Sequence, residues 1–204
     1  FEYYETVYAN RDLGIKLLSM GASGNRHMSN AKGPVNSVAD IQGMKMRTPP
    51  SPMIAKTWEA LGTQPVSVAW TELYAAIQTG VADGLESSIA GYKGSKLYEV
   101  APYLALTGHT IQVNHFSVSN KTWDKLSDEQ KKIVSDAAIA SQDYGVAKTR
   151  EYEDAFIKSL QSENGVTVTR PDTAEFISKL SAVQDTLATE LKLAEPFAII
   201  KANR

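Results

Sequence analysis

MKMRTPPSPMIAKTWEALG, residues 44–62, runs a short apolar alternation into an arginine, then three prolines, then the pattern of an amphipathic helix. Met44 and Met46 alternate with Lys45 and Arg47, the period of a half-buried strand, and Arg47 falls near its carboxyl end. Proline has no backbone N–H to give to a ladder, so Pro49 and Pro50 close the strand. Ser51 followed by Pro52 reads as a capping side chain and a first helical position, with Gly62 as a natural stop. An arginine placed where a strand gives out and a helix is about to begin is either a solvated surface charge or a group waiting for an anion.

The same strand, loop and helix recur downstream. PVSVAW, residues 65–70, reads as a strand ending in Trp70, with Thr71 capping the helix ELYAAIQT and Gly80 closing it. VADGLESS, residues 81–88, then turns into the helical pattern IAGYKGSKLYEVA. In open α/β sheets ligands gather outside the carboxyl ends of the strands, where helix amino termini direct free N–H groups and a positive dipole. Arg47, Trp70 and Ser87 or Ser88 are therefore expected at equivalent places on three neighbouring junctions, the geometry of a small-anion pocket.

Composition sets the outer bounds. The 204 residues are 43% hydrophobic and 22% charged, enough for a full core in one large domain or two small lobes. With 21 basic against 23 acidic residues the formal charge is −2, which gives no sequence-independent surface for nucleic acid or another polyanion. No window approaches 18 consecutive apolar residues, and the opening FEYYETVYAN lacks the regions of a signal peptide, so stable membrane insertion is not expected of this chain. Cysteine is absent, which excludes disulfides, thiolate catalysis and cysteine-ligated zinc.

Outside the middle section, residues 1–20 read as helix through Val7, Leu13, Leu17 and Leu18, and 28–43 as an irregular polar segment. LALTGHTIQVNHFSVS, residues 104–119, reads as extended structure. SDEQ then opens a long helix with a capping box between Ser127 and Gln130, and apolar residues at 133, 137, 140, 144, 147, 155 and 160 are expected to hold its buried face as far as Gly165. A break near Asp143–Gly145 into two helices is the alternative. A short strand, VTVTRP, and a helix from Thr173 to about Leu191 follow.

GMKMRTPPSP, then LGTQPVSVAWTELYAAIQTGVADGLE, then SKLYEVAPYLALTGH, in that order, resemble the periplasmic solute-binding subunit of TRAP transporters, the DctP family. The likeness runs from about Gly24 to about Asn164. It implies a type II-like periplasmic binding protein fold of two α/β lobes that close over a carboxylate-bearing solute. Residues 28–120 would supply most of the ligand-clamp lobe, 121–164 a long helix bracing both lobes, and 165–204 the carboxy-terminal strand and helices. The family's arginine after the GxKxR strand pairs bidentately with the ligand carboxylate, and Arg47 matches it. SGNRHMSN offers Arg26 as a second ligand-facing arginine, and Trp70 matches the aromatic that lines the pocket. Where an asparagine often follows the family's DGQE, this chain has Ser87, which puts in doubt any substrate carried over from sialic-acid or uronate binders. Family members are roughly half as long again, so the resemblance implies that the amino-terminal part of the first lobe is missing here.

Arginine suits the role because its planar fork meets a carboxylate with two parallel hydrogen bonds, which lysine cannot do. Glu86 is expected to hold a helix start or to orient an arginine from behind, since a carboxylate is a poor neighbour for an anionic ligand. Gln112 and Asn114 are candidates to donate to ligand hydroxyls. His27, His109 and His115 have no ligand spacing and no acid-rich companion, so a structural role is expected and no metal or cofactor is called for. Neither a GxSxG elbow nor a phosphate or dinucleotide loop is present. The expected function is capture of a small organic acid and its delivery to TRAP permease subunits from the periplasm, without catalysis. The rival is an α/β enzyme acting on a small carboxylate.

Overall fold

A computed structural model describes residues 2–202 as a mixed α/β protein built on a six-stranded sheet. The strands are β1 (Ile15–Asn30), β2 (Lys45–Thr48), β3 (Gln64–Ser67), β4 (Gly84–Ser88), β5 (Tyr103–Ser119) and β6 (Thr167–Thr169), in the spatial order β3-β2-β4-β1-β5-β6. The helices are α1 (Glu2–Asn10), α2 (Pro52–Ala60), α3 (Leu73–Gln78), α4 (Ile89–Gly94), α5 (Asn120–Trp123), α6 (Asp128–Asn164), α7 (Thr173–Glu190) and α8 (Ala194–Ala202). Chain contacts divide the molecule into two compact units. One holds the residues up to Asn25 together with Thr110–Phe156; the other holds Arg26–His109 and the chain from Ile157 onward. Both β1 and β5 change unit part-way along their length, as does α6.

In the larger unit, β2 runs parallel to both β3 and β4, with Arg47 opposite Val66 and Met46 opposite Gly84. β4 meets β1 antiparallel, which sets Arg26 opposite Ser88 and Met28 opposite Glu86. The three strand-to-helix junctions expected from sequence are thus neighbours in space. Met28, Val35, Val38, Ile41, Met44, Met46, Trp58, Leu61, Ala105, Phe176 and Leu180 form the core beneath them. Trp58, on the inner face of α2, is almost fully buried, and its ring meets His109 edge to face at 5.0 Å. Such a ring supplies both apolar area and a directional contact.

Several local expectations are corrected. The first twenty residues are not one helix: α1 stops at Asn10, and Leu17 and Leu18 belong to β1, which runs to Asn30 and takes in only the first three residues of the 28–43 segment; the rest of that segment is irregular apart from a 3-10 turn at Val38–Ile41. Leu17 is buried there at strand spacing with Ser19, a period of two and not of 3.6. The strand expected to end at Trp70 ends at Ser67, and Trp70 opens a single 3-10 turn before α3. Thr71 does not cap α3; the helix begins one residue beyond Glu72, with no side-chain cap. Ser51 likewise makes no capping hydrogen bond, although Pro52 does stand in the first turn.

The long helix is continuous from Asp128 to Asn164, about 55 Å at 1.5 Å per residue. Its capping box is present in both directions, Ser127 N–H to Gln130 Oε1 at 2.9 Å and Gln130 N–H to Ser127 Oγ at 3.2 Å. The apolar stripe expected on it is wrong over most of its length. Ile133 and Tyr144 are 60% and 66% exposed, whereas Ala138, Gln142, Ile157 and Leu160 are buried. Within the smaller unit the packing face is made of small and polar residues because β1 comes very close. Ser19 Oγ donates to the Ala138 carbonyl at 3.0 Å, a methyl group at Gly21 would lie 2.5 Å from Gln142 Nε2, and one at Gly24 would lie 2.9 Å from Thr149 Cγ2. A hydrophobic period cannot register a face that excludes large side chains.

That correction is measurable by urea unfolding. Ile133→Ser should change stability by no more than about 0.5 kcal/mol, as expected for an exposed site, while Leu160→Ala should cost about 2–5 kcal/mol. Comparable losses in the two variants would restore the stripe inferred from sequence.

Candidate functional site

Arg47 sits at the carboxyl end of β2, where the chain leaves the sheet for Pro49 and α2. Only 2% of the residue is exposed. Its Nε donates to the Val68 carbonyl at 2.8 Å, and its guanidinium carbon lies 5.6 Å from the centre of the Trp70 ring. Among the described residues its two Nη groups have no hydrogen-bond acceptor and no carboxylate within ion-pair distance. Burial lowers its pKa from the ordinary value, Glu86 opposes that shift and Arg26 adds to it. Arginine nevertheless keeps its proton in proteins. A charged fork, held by one nitrogen and open at the other two, presents the two parallel donors that a carboxylate matches.

Arg26 is differently engaged. It forms a double ion pair with Glu86, Nε against Oε2 and Nη2 to Oε1 at 2.8 Å, and Nη2 also donates to the Glu86 carbonyl at 3.0 Å. The antiparallel register of β1 and β4 makes this possible, since it brings residue 26 alongside residues 86–88. His109 Nε2 stands 3.7 Å from the same Glu86 oxygen, and its Nδ1 is 2.8 Å from Thr107 Oγ1. Burial would raise the Glu86 pKa, but hydrogen bonds and charges from His109 and Arg26 outweigh it and hold the carboxyl at about 2. Glu86 is therefore ionised at neutral pH. His27 accepts a hydrogen bond at Nδ1 from the Gly108 N–H at 3.0 Å, and burial first, then the neighbouring His109, push its pKa down to about 4.

Ser87, Ser88 and Trp70 complete the cluster. Ser87 is buried, with its Oγ donating to the Ser88 carbonyl at 3.0 Å, and Ser88 caps α4 by accepting from the Gly91 N–H at 3.2 Å. Gly91 is where these residues approach Trp70: a methyl group there would lie 2.7 Å from Ser87 Oγ, 3.3 Å from Ser88 Oγ and 3.6 Å from Trp70 Cη2. Trp70 itself is 41% exposed, so its ring is a surface against Arg47 and not a core filler. Arg47, Arg26, Trp70, Glu86, Ser87 and Ser88 all belong to the larger unit. Gln112, half-buried, and Asn114, exposed, lie in the smaller one on β5, with Gln112 Nε2 3.4 Å from Asn114 Oδ1. The Val68 carbonyl that aims Arg47 and the His109–Thr107 pair behind Glu86 were not identified in the sequence. No motif marks a backbone carbonyl, and residues 86, 107 and 109 meet only through strand pairing.

Acid should loosen this arrangement in two stages. His27 is lowered in the folded state, so its contribution is full above about pH 6.5 and is lost as pH falls through 4; Glu86 adds a loss between about 4.5 and 2. Each shift corresponds to roughly 3 kcal/mol at most, by the linkage between pKa and stability. Unfolding free energy measured against pH should fall in both windows, His27→Gln flattening the upper and Glu86→Gln the lower. A profile unchanged by both substitutions would remove these two groups as the source.

The chain as a whole is similar to known proteins. The model of the bacterial extracellular solute-binding protein family 7, DctP, matches residues 3–190. The ectoine-binding periplasmic protein TeaA of Halomonas elongata is 31% identical over 170 residues, which cover 83% of this chain and 49% of that protein. A crystal structure of a TRAP periplasmic solute binding protein from Sulfitobacter sp. NAS-14.1 with bound α-D-taluronate is 28% identical with a TM-score of 0.90, covering 100% of this chain and 65% of that one. A second protein from the same source, with bound β-D-galacturonate, is 30% identical with a TM-score of 0.87, covering 95% and 64%. The chain thus spans about half of TeaA and just under two thirds of the two crystallised proteins. These relatives are solute-binding proteins of transporters, and none supports the enzyme alternative. With a match over nearly its whole length, this chain belongs to the DctP family of bacterial extracellular solute-binding proteins.

Proposed function

We propose that this chain is part of an extracytoplasmic receptor that captures a small organic acid in the periplasm and delivers it to the membrane subunits of a TRAP-type transporter. The observation that carries the reading is Arg47: a buried guanidinium whose Nε is committed to Val68 and whose two Nη groups have no acceptor among the described residues. Burying a charge without a partner is costly, and a ligand carboxylate offsets that cost while gaining two charge-assisted hydrogen bonds. The ligands of the two Sulfitobacter relatives, a taluronate and a galacturonate, each bear one carboxylate, which supports a carboxylate as the recognised group.

In this reading Arg47 clamps the carboxylate, Trp70 walls the pocket, and Ser87 and Ser88 offer hydroxyls to the rest of the ligand. Arg26 borders the site with its orientation set by Glu86 behind it. Among the described residues no helix is long and apolar enough to cross a membrane, which suits a receptor that meets its permease from outside the bilayer.

Titration calorimetry against D-galacturonate, D-taluronate and ectoine tests the clamp. For whichever acid binds, Arg47→Ala should weaken affinity by on the order of 10²–10³, equivalent to about 3–5 kcal/mol for an unpaired buried charge. Arg47→Lys should fail nearly as badly, because an ammonium cannot form the fork. Binding of Arg47→Ala within threefold of the unaltered protein would overturn the proposal. Trp70→Ala should weaken binding while the unliganded protein keeps its melting temperature. A fall matching a core truncation of about 3–5 kcal/mol would instead make Trp70 a structural residue.

A further inference from the structure

The short helix α4 carries a glycine that its backbone does not require. Gly91 stands in the middle of Ile89–Gly94 and has no left-handed φ, so an alanine would fit the backbone and be the better helix former. What Gly91 provides is room. A methyl group there would lie 2.7 Å from Ser87 Oγ, 3.3 Å from Ser88 Oγ and 3.6 Å from Trp70 Cη2. The first contact is closer than side chains tolerate, the second is tight and the third is ordinary.

We propose that Gly91 is a positioning residue of the ligand site, whose missing side chain lets the Ser87 hydroxyl and the Trp70 ring stand together beside Arg47. The inference rests on the site proposed above and adds to it a residue that acts through its neighbours.

Neither the helix nor the strand can retreat from a side chain at this position. On either side of Gly91, Ile89 and Tyr92 are buried, and the Tyr92 hydroxyl donates to the Ala101 carbonyl at 2.7 Å, which fixes α4 from below. The Gly91 N–H is itself held by Ser88 Oγ at 3.2 Å. Ser87 is buried on β4, whose neighbours in the sheet are β2 and β1. The hydroxyl is the part free to give way. Rotating it to another staggered position breaks its hydrogen bond to the Ser88 carbonyl, 3.0 Å long, and turns Oγ from its present direction. The Trp70 ring lies between two neighbours, with the Arg47 guanidinium carbon 5.6 Å from its centre and the Cη2 edge against Gly91. A methyl group meets that edge at ordinary distance and leaves the ring in place; a leucine side chain would reach past it and displace the ring from Arg47.

Gly94, in the same helix, is the control, because a methyl group there would meet nothing within 4 Å among the described residues. Calorimetry at pH 7.5 with D-galacturonate, D-taluronate and ectoine tests the inference. For any of these acids whose binding depends on Arg47, Gly91→Ala should weaken affinity about 3- to 10-fold, the worth of one hydrogen bond. Gly91→Leu should weaken it further, and Gly94→Ala should stay within about twofold of the unaltered protein. The melting temperature of unliganded Gly91→Ala should stay within about 4 °C. The decisive measurement is the double-mutant cycle with Ser87→Ala, which removes the oxygen that the methyl group strikes. In that background Gly91→Ala should cost less than about twofold more.

The cycle decides the matter even if Gly91→Leu does not fold. If Gly91→Ala itself fails to fold, recovery on adding Ser87→Ala supports the same contact, and failure that persists overturns it. Unchanged binding by Gly91→Ala, an equal loss with and without the Ser87 hydroxyl, or an equal loss from Gly94→Ala overturns the role of Gly91 while leaving the reading of Arg47 intact. Failure of all three acids to bind the unaltered protein, or binding indifferent to Arg47→Ala, overturns the proposed function and the inference with it.

Discussion

An arginine buried at the end of a strand, with two of its three nitrogens lacking an acceptor among the described residues, is the constraint around which the larger unit is arranged. Arg47 holds its place because β2 lies between two parallel neighbours, and because Val68, just past the end of β3, turns its carbonyl toward Nε. The Trp70 ring over the guanidinium shields the charge without neutralising it. A surface arginine would be solvated; one buried this way carries a desolvation cost that a charge-assisted pair with an anion would offset.

The second arginine shows how the same residue type is put to another use by its neighbours. Arg26 comes from β1, which runs antiparallel to β4, so its side chain reaches the backbone and carboxylate of Glu86 together. Glu86 is also bordered by His109, which packs on Trp58 in the core. The polar layer at the sheet end is thereby tied to the hydrophobic one beneath it, and a change in charge at Glu86 is a change in stability as well as in the electrostatics around Arg47.

Within the smaller unit, close approach replaces apolar complementarity. Gly21 and Gly24 on β1 leave room for Gln142 and Thr149 of α6, and the interface is closed by small side chains and by the Ser19–Ala138 hydrogen bond. The opposite stripe of the helix, with Ile133 and Tyr144, is exposed among the described residues. For a 37-residue helix, continuity rests on its capping box and the absence of proline more than on any strong apolar face.

The sequence by itself determined the repeated strand-to-helix units of the middle section, the position of Arg47 at a strand end, the long helix with its cap, and the family. These are local features: alternation over a few residues, a proline at a helix start, a capping box, an ordered set of motifs. Tertiary structure decided what such signals do not contain. Whether residues 15–30 form helix or strand depended on β4 and β5 being there to pair with them, and which face of α6 is buried depended on two glycines more than a hundred residues away. The site divides in the same way. Arg47, Trp70 and the Ser87–Ser88 pair could be named as candidates because each stands at or just past the carboxyl end of a strand in its own short unit. The Val68 carbonyl, the partnership of Arg26 with Glu86 and the contact of Glu86 with His109 were not, because strand register alone brings those residues within reach of one another.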